Sequence, residues 1–158
     1  MTARAISLWE PWATAMRLDL KRNETRGWSP PVSCVGDLLL ICGAKTRVGF
    51  RGFDASLLQR IIAAKSAGWC FGMAAALVRL VAVEQTELYE PAKDGRDDEL
   101  ECRLGNYEPG RFVWMTVPVD LGFEPFPVRG RQQFFPVRLS NELEERVKAG
   151  TWRVEECR

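Results

Sequence analysis

The sequence predicts an α+β fold: a small mixed β-barrel with helices at its periphery, formed by one domain over residues 1–158. Three observations lead there. Short apolar strand-like runs dominate the chain, and the helical segments are inserted among them without regular βα alternation, which argues against a doubly wound parallel sheet. No GxGxxG or GxxxxGK[ST] sequence opens a helix, so the nucleotide-cofactor folds lose their usual support. No internal repeat, low-complexity tract or linker divides the chain.

The elements follow in order. "AISLW" (5–9) reads as a strand, and Pro11 suits the first turn of a helix, where a missing N–H costs nothing. Trp12, Ala15 and Met16 recur at i, i+3, i+4, giving a short amphipathic helix to about Leu18. Asp19 and Leu20 close it, and "RNETR" (22–26) is extended until Pro30-Pro31. "GDLLLICGA" (36–44) is a buried strand opened by a turn signal. "DASLLQRIIAAKSAG" (54–68) carries Leu57, Leu58, Ile61, Ile62 and Lys65 at helical spacing, with Asp54 as N-cap and Gly68 as stop.

A long strand-like stretch, 71–88, comes next, with small residues from Gly72 to Ala76 marking close backbone packing. From Tyr89 to Gly105 periodicity gives way to charge, which reads as a long loop. "RFVWMTVPV" (111–119) and "RQQFFPVRL" (131–139) are strands. "SNELEERVKAG" (140–150) is a polar amphipathic helix with Asn141 and Glu144 as a capping box. The order is β-α-β-β-α-β-β-β-α.

Composition excludes several chemistries. Hydrophobic residues make up 46% and charged residues 27%, ordinary for a globular protein. No apolar run reaches the roughly 20 residues that cross a bilayer, and no signal-peptide pattern opens the chain, so a cytoplasmic location without membrane contact is expected. Five scattered cysteines with no CxxC pair read as small buried apolar residues, not as a disulfide framework or zinc site. There is no histidine, which removes Ser-His-Asp and Cys-His nucleophiles and imidazole acid–base chemistry. No metal or cofactor is expected. Residues 1–52 hold eight basic groups against four acidic ones, while residues 86–104 hold seven acids against three bases. A basic face for a polyanion fits that segregation.

The segment "RLDLKRNETRGW" (17–28) concentrates the candidate chemistry. On an extended chain Glu24 and Arg26 share a face, while Asn23 and Thr25 take the other. Lys21, in the turn before, can fold back on Glu24, and Glu24 can hold the Arg26 guanidinium in an orientation suited to phosphate. From charges alone, a structural ion-pair network is the commoner outcome.

The segment "ISLWEPWATAMRLDLKRNETRGW" (6–28) resembles the opening of the ASCH domain, a family related to PUA domains whose hallmark is G-x-K-x-x-E-x-R after a Q-P-(W/Y)-A helix start. Lys21, Glu24 and Arg26 match; Asp19 stands at the glycine and Glu10 at the glutamine. The likeness continues through 36–45, 72–84, 105–116 and 125–137. It implies a PUA-like β-barrel with a cleft at the hallmark residues, and RNA or another single-stranded nucleic acid as ligand. Some relatives hydrolyse acetylated cytidine, and ribonuclease activity occurs in the family. The acetylcytidine hydrolases, however, carry a threonine nucleophile where this chain has Glu24.

The expected nucleic-acid-binding set is therefore Trp12, Lys21, Glu24, Arg26, Lys45, Tyr107, Arg129 and Arg131. Trp12 would stack on a base, or be core. Trp28 is expected in the core. Lys21, Lys45, Arg129 and Arg131 would hold phosphates, Glu24 would orient Lys21 or accept a base N–H, and Gln132 and Gln133 could read base edges. Tyr107 would seat a base or pack under the 89–105 loop, and Glu84 or Glu87 would bring a second carboxylate toward Lys21. Two other functions stay open: a hydrolase (an amidohydrolase on a modified nucleoside, or a ribonuclease) with Lys21 as base and Glu24 as its partner, and a protein-interaction module contacting partners through the acidic 89–101 loop.

Overall fold

In the computed structural model, residues 1–48, 55–64, 68–90, 98–119 and 123–150 are described. β1 (Thr2–Glu10) leads into α1 (Trp12–Arg17), then β2 (Asn23–Arg26) and β3 (Leu38–Val48). α2 (Ala55–Ala64) precedes β4 (Met73–Gln85), followed by α3 (Asp98–Arg103) and β5 (Phe112–Pro118). β6 (Phe126–Pro127), β7 (Phe135–Arg138) and α4 (Asn141–Lys148) complete the order. The anticipated elements all form, and three more join them, a 3-10 turn at Val32–Cys34, α3 and the two-residue β6. Asp54, Lys65 and Cys157 lie outside the described residues.

The fold is mixed α+β, with one sheet in the order β2-β5-β4-β3-β1-β7 and β6 attached to β4. β1 and β3 run parallel; the other pairings are antiparallel. β2 and β7, at the two ends, are not paired, so the ladder does not close as a barrel requires. In a flat sheet β2 would stand four strand spacings, about 19 Å, from β1. Yet Arg26 Nη2 of β2 donates to Ser7 O of β1 at 3.0 Å. The sheet must curl until its β2 end meets β1, and a side chain spans the interval that a closed barrel would fill with backbone pairs.

Period-two alternation sorts the two faces. Ile6, Leu8, Leu39, Ile41, Val78, Leu80 and Trp114 form one buried cluster. Ala3, Ala5, Leu40, Cys42, Leu77 and Phe135 form the other, covered by Phe123, Leu139 and Leu143. A third cluster joins the helices through Ala15, Leu57, Ile61, Leu100 and Leu104. Leu100 and Leu104, four apart, turn one side of α3 inward. That apolar side explains why a charge-rich stretch read as loop contains a helix.

The ends of two helices show how local chemistry sets the chain's course. Ser140, not Asn141, caps α4: its Oγ accepts from Leu143 N at 3.2 Å. After α1, Leu20 N–H bonds Ala15 O at 2.9 Å and Asp19 N–H bonds Met16 O at 3.2 Å, while Asp19 sits at φ 56°. This is a Schellman ending, whose left-handed position favours glycine. Asp19 keeps its place there with a two-pronged contact to Arg22, at 2.5 and 2.6 Å.

Candidate functional site

The ending of α1 delivers Lys21 directly onto the start of β2. Its ammonium bonds Asn23 O and lies 3.6 Å from Glu24 Oε2. Glu24 Oε1 lies 3.0 Å from Arg26 Nε, a close ionic contact without hydrogen-bond alignment. Lys21 is only 2% exposed and Glu24 8%. So Lys21, Glu24 and Arg26 converge as anticipated, with Lys21 and Glu24 buried and only the Arg26 side chain part-exposed. Burying charges is costly unless each is paired, and here each meets an opposite charge or a carbonyl.

β2 is an edge strand, and the groups around it occupy its backbone. Glu101 of α3 accepts from Arg22 N at 2.8 Å and Asn23 N at 3.0 Å. Lys21 takes Asn23 O, and Arg111 Nη2 takes Thr25 O at 3.2 Å. Glu101, 8% exposed, is the carboxylate beside the Lys21 turn. Neither Glu84 nor Glu87 has that place: Glu84 is exposed opposite Val113, and Glu87 accepts from Gly110 N at 2.6 Å. Hydrogen bonds from its own backbone and from Gly110 hold the Glu87 carboxyl below its ordinary range. The i, i+4 pair Leu100/Leu104 was the sequence signal that could have located Glu101.

Alternation along β2 divides the remaining candidates. Glu24 and Arg26 stand opposite Trp114 and Phe112 of β5, on the face of the first apolar cluster. Thr25 and Asn23 take the other face, where Thr25 Oγ1 accepts from Asn106 N at 2.8 Å and Asn23 Nδ2 donates to Tyr89 OH at 2.6 Å. Tyr107 belongs there too, stacked on Tyr89 with centroids 5.5 Å apart. Burial, then the nearby Glu101 and Tyr89, push its phenol well above the ordinary value. Tyr107 is thus separated from the Lys21–Glu24–Arg26 relay by the strand itself.

The other basic candidates lie on or beside the 128–134 loop. A Cβ at Gly130 would stand 2.6 Å from Ser7 Oγ, so the "VRGRQQF" loop lies against the residue whose carbonyl holds Arg26. Val128 N donates to Gly72 O at 2.9 Å, and the Lys45 side chain passes 3.7 Å from a Cβ placed on Gly72. Lys45, Arg129 and Arg131 are exposed, and no carboxylate among the described residues pairs with them. Arg131 is not part of a strand, since β7 begins at Phe135; Gln133 adopts φ 57° in that loop.

Trp12 is partly buried and packs against the first apolar cluster. Trp28 is likewise partly buried against that cluster, edge-on to Trp114 at 4.7 Å and to Phe134 at 5.4 Å. Glu10 is wholly buried, accepting from Thr14 N at 3.1 Å and Cys70 N at 2.7 Å, so it fastens the start of α1 to the approach of β4. Its place among apolar neighbours gave no sign of this in sequence. Cys34, Cys42 and Cys70 are buried, and burial pushes the Cys42 thiol up to about 12, whereas Cys102 is exposed. Among the described residues no cluster of metal-ligating side chains occurs, and no helix is long and apolar enough to cross a membrane. No family model matches the chain, and no curated protein matches it.

Proposed function

We propose that this chain is an ASCH-like domain, its curled sheet a PUA-like barrel left open at one seam, and that it binds single-stranded RNA along that seam. The observation that carries the reading is the approach of Gly130 to Ser7, which sets the Arg129 and Arg131 loop beside the Arg26 guanidinium. Lys45 adds a third exposed cation across Gly72. Guanidinium forks and an ammonium on one rim suit successive phosphates, and unpaired bases beside them can stack on aromatic rings.

In this reading the buried Lys21–Glu24 pair fixes Arg26 in place and makes no contact with the ligand. Glu24 fixes the angle of the guanidinium and Lys21 compensates Glu24. Trp12 is the candidate stacking ring.

Fluorescence anisotropy with a labelled single-stranded RNA, repeated across salt concentrations, tests the proposal. Affinity should fall as salt rises, and Arg129→Ala/Arg131→Ala should lower the slope of log K against log salt by about 1.4, two phosphates at about 0.7 each. No binding, or binding indifferent to salt, refutes it. Cleavage of the RNA, or of acetylated cytidine, in a manner abolished by Lys21→Ala would move the assignment to a hydrolase.

A further inference from the structure

An open groove of about 780 Å³ lies at the end of the sheet where β1 and β3 begin. Its lining includes Arg4, Asp37, Arg79 and Phe134. Phe134 also ends the 128–134 loop and packs on Trp28 at 5.4 Å and Trp114 at 5.5 Å. One aromatic ring therefore borders both the groove and the aromatic packing beneath the basic loop. Along β1, Arg4 precedes Ser7 by three residues, about 10 Å.

We infer that the groove is a second subsite for the same single strand, receiving nucleotides that continue past Phe134 from the Arg129–Arg131 loop. The inference rests on the RNA reading proposed for the seam. Arg4 is paired with Asp37, but both side chains are 46% exposed. Such a pair is weak enough for the guanidinium to turn to a phosphate. Arg79 Nη1 donates to Gly36 O at 2.6 Å, so this end of the groove holds two guanidiniums against the one carboxylate of Asp37. At the α4 wall, by contrast, Lys148 is held by Glu144 at 2.8 Å and Glu145 at 3.3 Å, and the N-terminal amine by Glu144. The phosphates are therefore assigned to the Arg4–Arg79 end, with Phe134 as the plate between the two subsites.

The test compares two labelled single-stranded RNAs, about three and about twelve nucleotides long, on the full chain. Arg4→Gln/Arg79→Gln should weaken the longer RNA about tenfold and change the shorter less than twofold. The longer RNA should also alter tryptophan emission beyond the change that the shorter one makes at Trp12, because Phe134 touches both Trp28 and Trp114. Thermal melting verifies that the variant is folded; should it not be, the emission difference between the longer and the shorter RNA on the unmodified chain decides the matter by its presence or absence. Equal weakening of both lengths, or undiminished binding of the longer one, overturns the second subsite while leaving the seam proposal standing. Failure of the unmodified chain to bind either RNA overturns both.

Discussion

Arg26 and Ser7 belong to strands four places apart in the sheet, yet the Arg26 guanidinium donates to the Ser7 carbonyl at 3.0 Å. Arg26→Ala removes that bond and one partner of Glu24, and should cost about 2 kcal/mol. Arg26→Lys should recover little, since one ammonium cannot span both partners. Urea denaturation measures this; a loss below about 0.5 kcal/mol, the usual range for a surface substitution, would mean the seam does not depend on the contact.

The relay should respond asymmetrically. Glu24→Ala strands a buried ammonium and should cost about 3–5 kcal/mol. Lys21→Met leaves the carboxylate on Arg26, so its cost should be smaller. The double variant should then lose less than the two single losses combined. Simple additivity in a double-mutant cycle would show that Lys21 and Glu24 act independently.

Asp19 tests the turn that aims Lys21. Asp19→Ala keeps the left-handed backbone without its Arg22 contact and should destabilise by about 1 kcal/mol. Asp19→Gly relieves the backbone while losing the same contact, so it should stay within about 0.5 kcal/mol of the parent. If alanine and glycine behaved alike, backbone conformation would not be what the position demands.

Alkaline solution should weaken the fold. Tyr107 and Cys42 have folded-state pKa values raised above their unfolded ones. The unfolded chain therefore loses protons first, and stability present at neutral pH declines as pH rises above about 9 for the thiol and 10 for the phenol. Each group contributes a slope of up to about 1.4 kcal/mol per pH unit over its window. Tyr107→Phe should remove the phenol's share, so denaturation midpoints between about pH 10 and 11 should fall less steeply. An unchanged slope would contradict the assignment.

Local chemistry made much of this fold legible. Apolar runs located β3 and β4, and the alternation of "NETR" placed Glu24 and Arg26 opposite Asn23 and Thr25 before any coordinates. Three things were beyond it. α3 hides two inward leucines within a charged stretch, and periodicity over so short a helix is weak. The burial of Glu10 and Glu101 depends on backbone N–H groups from segments 60 and about 78 residues away, which no local pattern encodes. A barrel was expected from short strands without regular βα alternation, but whether end strands pair depends on how far the sheet curls and on what lies between them. Here the Arg26 side chain reaches from β2 to Ser7 of β1 in place of a backbone ladder.

The outer margin of β2 has one more consequence. Glu101, Lys21 and Arg111 already engage Arg22 N, Asn23 N, Asn23 O and Thr25 O. A strand arriving from another molecule would find those groups taken, so these three side chains guard against chain-to-chain β-pairing and the aggregates it seeds.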